Sequence, residues 1–141
     1  MEKPNVRVGV GVFVVKDGKF LLQKRKGSHG EGSWSLPGGH LEHGESFETA
    51  GRREVKEESD LEIKNVRFAA VTNDIFEAEG KHYVTVWLLS DWASGELRNM
   101  EPEKCTAQEW HTLDDLPQPL FHTWNQLFES EFLADIKKLF S

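Results

Sequence analysis

The chain of 141 residues has a single cysteine, Cys105, and no apolar run long enough to span a bilayer. One thiol excludes an intrachain disulfide and indicates a reducing compartment. The first residues lack the apolar segment that follows a basic start in a secretory leader. We therefore expect a cytoplasmic protein without a membrane partner.

Basic residues are also scarce, with 17 Lys and Arg against 24 Asp and Glu and a formal net charge of −7. A surface that binds DNA or RNA needs an excess of positive charge, so a nucleic-acid polymer is excluded as a partner. A phosphorylated small molecule stays compatible, because a bound cation can invert the local field. The six histidines and the one cysteine do not fall at zinc-ligand spacing.

Hydrophobic residues make up 38 % of the chain, which predicts one globular domain over 1–141. Valines alternate from Val6 to Val14, a period of two that is typical of a strand, and Gly9 and Gly11 lie on its other face. Glycines there indicate close approach of a backbone or ligand, or a packed helix. Asp17-Gly18 predicts a hairpin turn.

The remaining elements follow from the same patterns. We predict further strands at 19–25, 34–36, 63–73, 82–89 and 107–111, and helices at 46–59, 120–128 and 132–140. This order suits an α/β fold with a mixed sheet and helices on both faces.

The helix predicted over 46–59 carries an unusual set of acidic side chains. Ser46 suits its N-cap, but Glu57 and Glu58 lie in its last turn, where the helix dipole favours cations. Glu54 has like charges three and four residues ahead, which cost about 0.2–0.5 kcal/mol per pair on an isolated helix. Two interpretations remain: a solvated acidic face with basic partners, or hard oxygen ligands for a divalent cation.

A glycine-rich stretch just before this helix favours the metal interpretation. Gly38 and Gly39 permit positive φ and close backbone approach, and Pro37 stiffens the entry. Exposed amides of such a loop can cradle an anion, and a carbonyl can join a metal shell.

Gly39, Glu45 and the segment 53–61 together resemble the Nudix box. That box reads Gly, five residues, Glu, seven residues, Arg-Glu, an apolar residue, any residue, Glu-Glu, any residue, Gly and an apolar residue. Every defined position matches except Asp60, which stands where the family has Gly. Asp accepts the left-handed conformation less well than Gly, so we expect a modest stability cost. The resemblance implies the family's α/β/α sandwich.

The resemblance implies an enzyme, a pyrophosphohydrolase that cleaves a nucleoside diphosphate linked to another moiety. Its expected cofactor is Mg²⁺, with Mn²⁺ as a substitute, and its expected partner is a small nucleotide. The implied catalytic and metal-binding groups are Glu54, Glu57, Glu58 and the Gly38 carbonyl. One of these glutamates, or one outside the box, would orient or deprotonate the attacking water. Glu45 is expected to pair with Arg53 and fix the loop against the helix.

Three stretches resemble the family branch that cleaves nucleoside triphosphates to monophosphates, including mammalian MutT homologue 2-like and plant cytosolic Nudix 1-type proteins. They are 36–42, 100–105 with Trp110 following, and 116–121. We expect phosphate contacts from Arg25, Gly38, Gly39 and His40. We expect base contacts from Trp34, Phe121 and Glu103. Each aromatic could equally be a core residue, His40 a solvated loop residue and Glu103 a surface acid.

Other functions remain open from sequence. The same box chemistry serves dihydroneopterin triphosphate, an isoprenoid diphosphate or ADP-ribose. A non-catalytic nucleotide-binding module would usually have lost box glutamates, which are all present here, and a Ca²⁺-binding domain lacks an EF-hand loop. The preferred base, the general base and the effect of Asp60 stay undetermined. So does the oligomeric state, although a homodimer is compatible with the family.

Overall fold

The computed structural model describes residues 5–27 and 29–140. In chain order the strands and helices are β1 (Val6–Lys16), β2 (Lys19–Arg25), β3 (Trp34–Ser35), β4 (Gly38–His40), α1 (Phe47–Ser59), β5 (Glu62–Phe76), β6 (Lys81–Ser94), β7 (Cys105–His111), α2 (Thr123–Phe128) and α3 (Leu133–Leu139). A short 3-10 turn, Glu77–Glu79, links β5 to β6. Within the described ranges, no helix is both long and apolar enough to cross a membrane.

Most predicted elements are present with adjusted bounds. The hairpin turn forms at Asp17 and Gly18, which both have positive φ. The glycine-rich stretch expected as a loop is instead the strand β4. The helix α2 begins at Thr123 rather than at 120, because Leu120 forms a parallel bridge with Trp34. A residue that is paired in this extended conformation cannot also belong to an α-helix.

The sheet splits between β1 and β2, and a short segment fills the gap. The two strands pair only beside their turn, at Val15↔Phe20 and Lys16↔Lys19. Farther along, β1 pairs with β4 and β2 pairs with β3. The segment 34–40 is therefore held by strands on both sides. The other edge of β1 runs parallel to β6, and β5 closes that side of the sheet.

Helices cover both faces of this sheet, as the α/β/α prediction requires. On one face, Val55 of α1 packs in a cluster with Val12 and Leu88. On the other, Trp124 of α2 packs with Phe13 and Trp87, whose indole ring lies 5.2 Å from that of Trp124. Because successive side chains of β1 point to opposite faces of the sheet, this strand contributes residues to a separate core on each face.

Both ends of α1 are capped. The Ser46 Oγ accepts a hydrogen bond from the Thr49 amide at 3.1 Å. At the other end Asp60 adopts φ 61°, and its amide donates to the Lys56 carbonyl at 3.0 Å. The Lys56 Nζ lies 2.9 Å from Asp60 Oδ1. Asp60 therefore occupies the left-handed position where the family pattern has glycine.

Two substitutions at Asp60 isolate the cost of that backbone conformation. Asp60→Gly and Asp60→Ala both lose the contact with Lys56, but only Ala keeps a Cβ at positive φ. We expect the Gly variant to unfold about 2–4 °C above the Ala variant in a thermal scan. Equal midpoints for the two variants would show that the left-handed conformation carries no cost here.

Candidate active site

A cleft with a volume of about 560 Å³ lies where the segment 34–40 meets the C-terminal half of α1. Its acidic wall comes from α1, its floor from β4, and its opposite wall is basic. Three acidic lining residues lie on α1, namely Glu54, Glu57 and Glu58, and three basic ones lie away from it, namely Arg25, Lys26 and Lys104; Glu42, Arg53 and Glu101 also line the cleft. The cleft therefore places cations and carboxylates across from one another.

The two floor glycines are required by close contacts. A Cβ on Gly38 would lie 1.9 Å from the Val10 carbonyl oxygen, and one on Gly39 would lie 2.5 Å from Glu54 Oε2. Because neither glycine has a Cβ atom, β4 can pair with β1 and the Glu54 carboxylate can lie against the backbone of β4.

The polar groups of Gly38 face the cleft. The Val12 and Leu41 amides donate to the Pro37 and Val8 carbonyls, which fixes the alternation of the β1–β4 ladder. In that register Gly38 pairs with Gly11 at a non-hydrogen-bonded position, so its amide and carbonyl point away from β1. Its amide lies 3.4 Å from Glu58 Oε1.

Arg53 joins the loop before α1 to the helix. Its Nε and Nη2 each donate to the Glu45 carboxylate at 2.8 Å, and Nη2 also donates to the His40 carbonyl at 3.1 Å. Its Nη1 donates to Glu54 Oε1 at 2.6 Å. These hydrogen bonds lower the pKa of Glu45 to about 2. One guanidinium therefore holds both the loop and a cleft carboxylate.

Glu58 is the most enclosed of the three glutamates. Its Oε1 accepts from Gln23 Nε2 at 2.7 Å, whereas its Oε2 is buried and has no hydrogen-bond partner in the described part of the chain. Burial, followed by the neighbouring Glu54 carboxylate, raises the pKa of Glu58 well above its ordinary value. A buried carboxylate oxygen without a partner is costly, and a cation would satisfy it.

The donor set has the chemistry of a divalent-cation site. Glu54, Glu58 and the Gly38 carbonyl offer hard oxygens beside one another. Over residues 5–27 and 29–140, no three acidic, His or Cys side chains are already grouped closely enough to hold a metal ion. Glu57 Oε2 lies 3.5 Å from Arg53 Nη1, and its side chain is half exposed, so it is free to turn into the cleft. The residues fit such a cation, and their ligand roles stay predictions.

A narrower cavity of about 160 Å³ adjoins the cleft and is called the aromatic slot here. Its walls carry four aromatic residues, Phe76, Tyr83, Trp87 and Phe121, and its floor includes Gly9 and Gly11 of β1. The His29 ring lies 4.8 Å from Phe76, and its Nδ1 pairs with the Glu79 carboxylate. The His40 ring stacks on Tyr83 at 5.6 Å. The slot has the flat apolar surfaces that suit a planar ring.

Arg25 lies at the junction of the cleft and the slot, and it lines both. Its guanidinium sits 4.0 Å above the Phe121 ring, and its Nε donates to the His29 carbonyl at 3.0 Å. Among the described residues, no carboxylate oxygen lies within ion-pair distance of it; burial lowers its pKa. A partly buried cation without a carboxylate partner is complementary to an anionic ligand.

The structure brings most sequence-predicted site residues together but leaves two outside. Trp34 is buried in the core, with its ring 6.0 Å from His111, and it lines neither cavity. Glu103 is exposed on a turn whose neighbours Glu101 and Lys104 line the cleft instead. Neither side chain lines the cleft or the slot, so the base contacts predicted for Trp34 and Glu103 gain no support from these two cavities.

Sequence reasoning also missed residues that the fold brings to the site. Gln23, His29 and Tyr83 line the cavities from separate strands and loops. Only Gln23 left a signal, since it is a polar residue directly after the apolar run Phe20-Leu21-Leu22.

A buried acid, Asp74, lies next to the wall of the slot and accepts hydrogen bonds from two threonines. Asp74 Oδ2 accepts from Thr72 Oγ1 at 2.9 Å and from Thr85 Oγ1 at 2.6 Å, and Thr85 lines the slot. Asp74 Oδ1 is buried without a hydrogen-bond partner in the described residues, and burial raises the pKa of this carboxyl. Because the Thr85 hydroxyl donates its hydrogen bond to Asp74, its oxygen faces the slot only as an acceptor.

Comparisons with known proteins identify the fold family. The profile of the NUDIX domain matches residues 5–133. A solved structure of a MutT NUDIX hydrolase from Burkholderia pseudomallei is similar with a TM-score of 0.82 and 39 % identity, covering 90 % of this chain and 98 % of that one.

Two curated relatives are similar at lower coverage of their own length. An ADP-ribose pyrophosphatase of Methanocaldococcus jannaschii is 34 % identical over 81 % of this chain and 66 % of its own. The NAD-capped RNA hydrolase NudC of Photorhabdus laumondii is 32 % identical over 81 % of this chain and 42 % of its own. The chain therefore spans less than half the length of that NudC.

Replacing Asp74 with Asn tests the buried acid through pH. The folded-state pKa of Asp74 is raised, so the folded state holds the proton more tightly and ionisation destabilises it as pH rises. The variant Asp74→Asn cannot ionise at this position and so avoids the destabilisation. Its free energy of unfolding relative to that of wild type should therefore increase from pH 4 to pH 8 in urea titrations. Asp114→Asn, at an exposed acid, controls for net charge. A relative stability that does not change with pH would contradict the assignment.

Proposed function

The chain belongs to the Nudix family, and we propose that it hydrolyses a nucleoside triphosphate to a nucleoside monophosphate and pyrophosphate. Family membership makes it a hydrolase of phosphorus anhydrides. The choice of a triphosphate, the metal and the residue roles are the proposal. The single domain over 1–141, the cytoplasmic location and a homodimer stay predictions.

The observation that carries the choice of substrate is the position of Arg25. Its guanidinium lies over the Phe121 ring of the slot and also lines the cleft, and it has no carboxylate partner among the described residues. A nucleotide with its base in the slot would bring its phosphates to this cation. Lys26 and Lys104 continue the basic wall, which suits a chain of three phosphates better than a second sugar.

The roles of the other residues follow from the same placement. A divalent cation held by Glu54, Glu57, Glu58 and the Gly38 carbonyl would neutralise phosphate charge and lower the pKa of the attacking water. Arg53 keeps the Glu54 carboxylate on the cleft side, and we assign acceptance of the water proton to a carboxylate of this wall. Arg25 donates to the phosphate oxygens as their charge develops.

ADP-ribose is the second candidate. The relative from Methanocaldococcus jannaschii is named for that activity, and an adenine would fit the slot as well as another base. Arg25 and the basic residues that continue its wall favour the triphosphate, and a direct comparison of the two substrates decides between them.

The deciding experiment is a substrate panel with Mg²⁺ at alkaline pH, read by chromatography of the products. It holds dGTP, 8-oxo-dGTP, dCTP, other nucleoside triphosphates, ADP-ribose, dihydroneopterin triphosphate and isopentenyl diphosphate. We expect a monophosphate and pyrophosphate from one or a few triphosphates. Cleavage of ADP-ribose without turnover of any triphosphate would reject the proposed substrate and keep the family chemistry.

Substitution of Arg25 tests its proposed contact with phosphate. Arg25→Ala should lower kcat/KM for the triphosphate by about 10- to 100-fold, which corresponds to the loss of a hydrogen bond to a charged group. Lys19→Ala, at the other end of β2, is the matched control and should leave kcat/KM unchanged. An Arg25→Ala enzyme with wild-type kcat/KM would remove the observation on which the triphosphate rests.

A further inference from the structure

Two side-chain amides, one buried and one half-buried, lie beside the acidic wall of the cleft. Gln23 on β2 and Gln108 on β7 are cross-strand neighbours, and both reach Glu58 of α1. We propose that Gln23, held in one orientation by Gln108, is a positioning residue that sets which Glu58 oxygen is available to the cation. The inference rests on the proposed role of Glu58 as a ligand.

The hydrogen-bond pattern fixes both amides without ambiguity. Gln108 Nε2 donates to Gln23 Oε1 at 2.9 Å and to the Glu58 backbone carbonyl at 3.2 Å. The Glu58 carbonyl can only accept, so the nitrogen of Gln108 must face it, and the Gln23 atom beside that nitrogen must then be the amide oxygen. Because Gln23 Oε1 is then occupied, its Nε2 must face the Glu58 carboxylate, to which it donates at 2.7 Å. A flip of either amide would set oxygen against oxygen.

This orientation selects one Glu58 oxygen. Gln23 and the Gly38 amide both lie on Oε1, at 2.7 Å and 3.4 Å. Oε2 is buried and has no such partner among the described residues. Oε2 is therefore the Glu58 oxygen left for a cation, and the neighbouring Glu54 carboxylate would be a second ligand under the proposed function.

Gln23 holds the two carboxylates together against their repulsion. Without a donor on Oε1, the Glu58 carboxylate is free to rotate about its last torsion and turn away from Glu54. Gln23 is only 6 % exposed and follows three apolar residues, so an apolar side chain would fill the same space. The amide at this position therefore serves the orientation of Glu58 rather than the packing of β2.

Metal affinity of the substrate-free protein tests the inference. Gln23→Met keeps the volume of the side chain but removes the donor. We expect it to weaken Mn²⁺ binding about 10- to 100-fold, the range for loss of a partner that orients a metal ligand. Thermal unfolding of the variant is followed in parallel, so that Mn²⁺ affinities are compared on folded protein. Gln108→Met should weaken Mn²⁺ binding in the same direction by a smaller factor, because Gln23 then flips freely.

Three further variants make the result decisive. Gln126→Met, on α2 and remote from Glu58, is the matched control and should bind Mn²⁺ as wild type does. In the double variant of Gln23 and Gln108, the second substitution should add nothing, because both act through one hydrogen bond. Glu58→Gln should bind Mn²⁺ more weakly than any of them.

Two outcomes separate this inference from the proposed function. The positioning role would be overturned if Gln23→Met bound Mn²⁺ with wild-type affinity. It would also be overturned if the losses of affinity in the Gln23 and Gln108 variants multiplied in the double variant. In both cases, weakened Mn²⁺ binding by Glu58→Gln would still support Glu58 as a ligand. Wild-type Mn²⁺ affinity in Glu58→Gln would overturn both. Neither outcome depends on which phosphoanhydride the enzyme cleaves.

Discussion

The repulsion between carboxylates on one face of α1 is the constraint around which the cleft is built. Glu54, Glu57 and Glu58 would separate if they were left to solvent. Arg53 holds Glu54 from the loop side, and Gln23 holds Glu58 from the sheet side. The helix thus keeps a locally unfavourable arrangement because groups from outside it supply the donors.

Those donors are available because the sheet divides between β1 and β2. The division admits the segment 34–40, whose glycines bring backbone amides to the carboxylates. On β2, Gln23 and Arg25 are two residues apart and therefore lie on the same face, and both line the cleft. At Gln23 the strand pairs with β3 on one edge and with β7 on the other, so this part of β2 is held firmly beside the cleft.

Sequence reasoning succeeded where the chemistry is local and failed where a side chain's direction depends on distant contacts. The N-cap at Ser46 and the hairpin at Asp17 could be predicted because spacing and residue type decide them, and the same spacing places the box glutamates on one side of α1, where their ligand roles stay predictions. Trp34 and Phe121 are both aromatic and both belong to one core cluster, yet only Phe121 also lines the slot. No local pattern reports which way an aromatic will face.

The pairing of β2 with β7 has a consequence for how the protein is made. Gln23 and Gln108 are 85 positions apart in sequence, and the parallel pairing of β1 with β6 also joins distant segments. Loop-closure entropy makes such contacts late events in folding. A nascent chain that has not yet released β7 from the ribosome already contains α1 and Gln23, but not Gln108, which holds Gln23 in its orientation. The chain of hydrogen bonds from Gln108 through Gln23 to Glu58 is therefore complete only after β7 has joined the sheet.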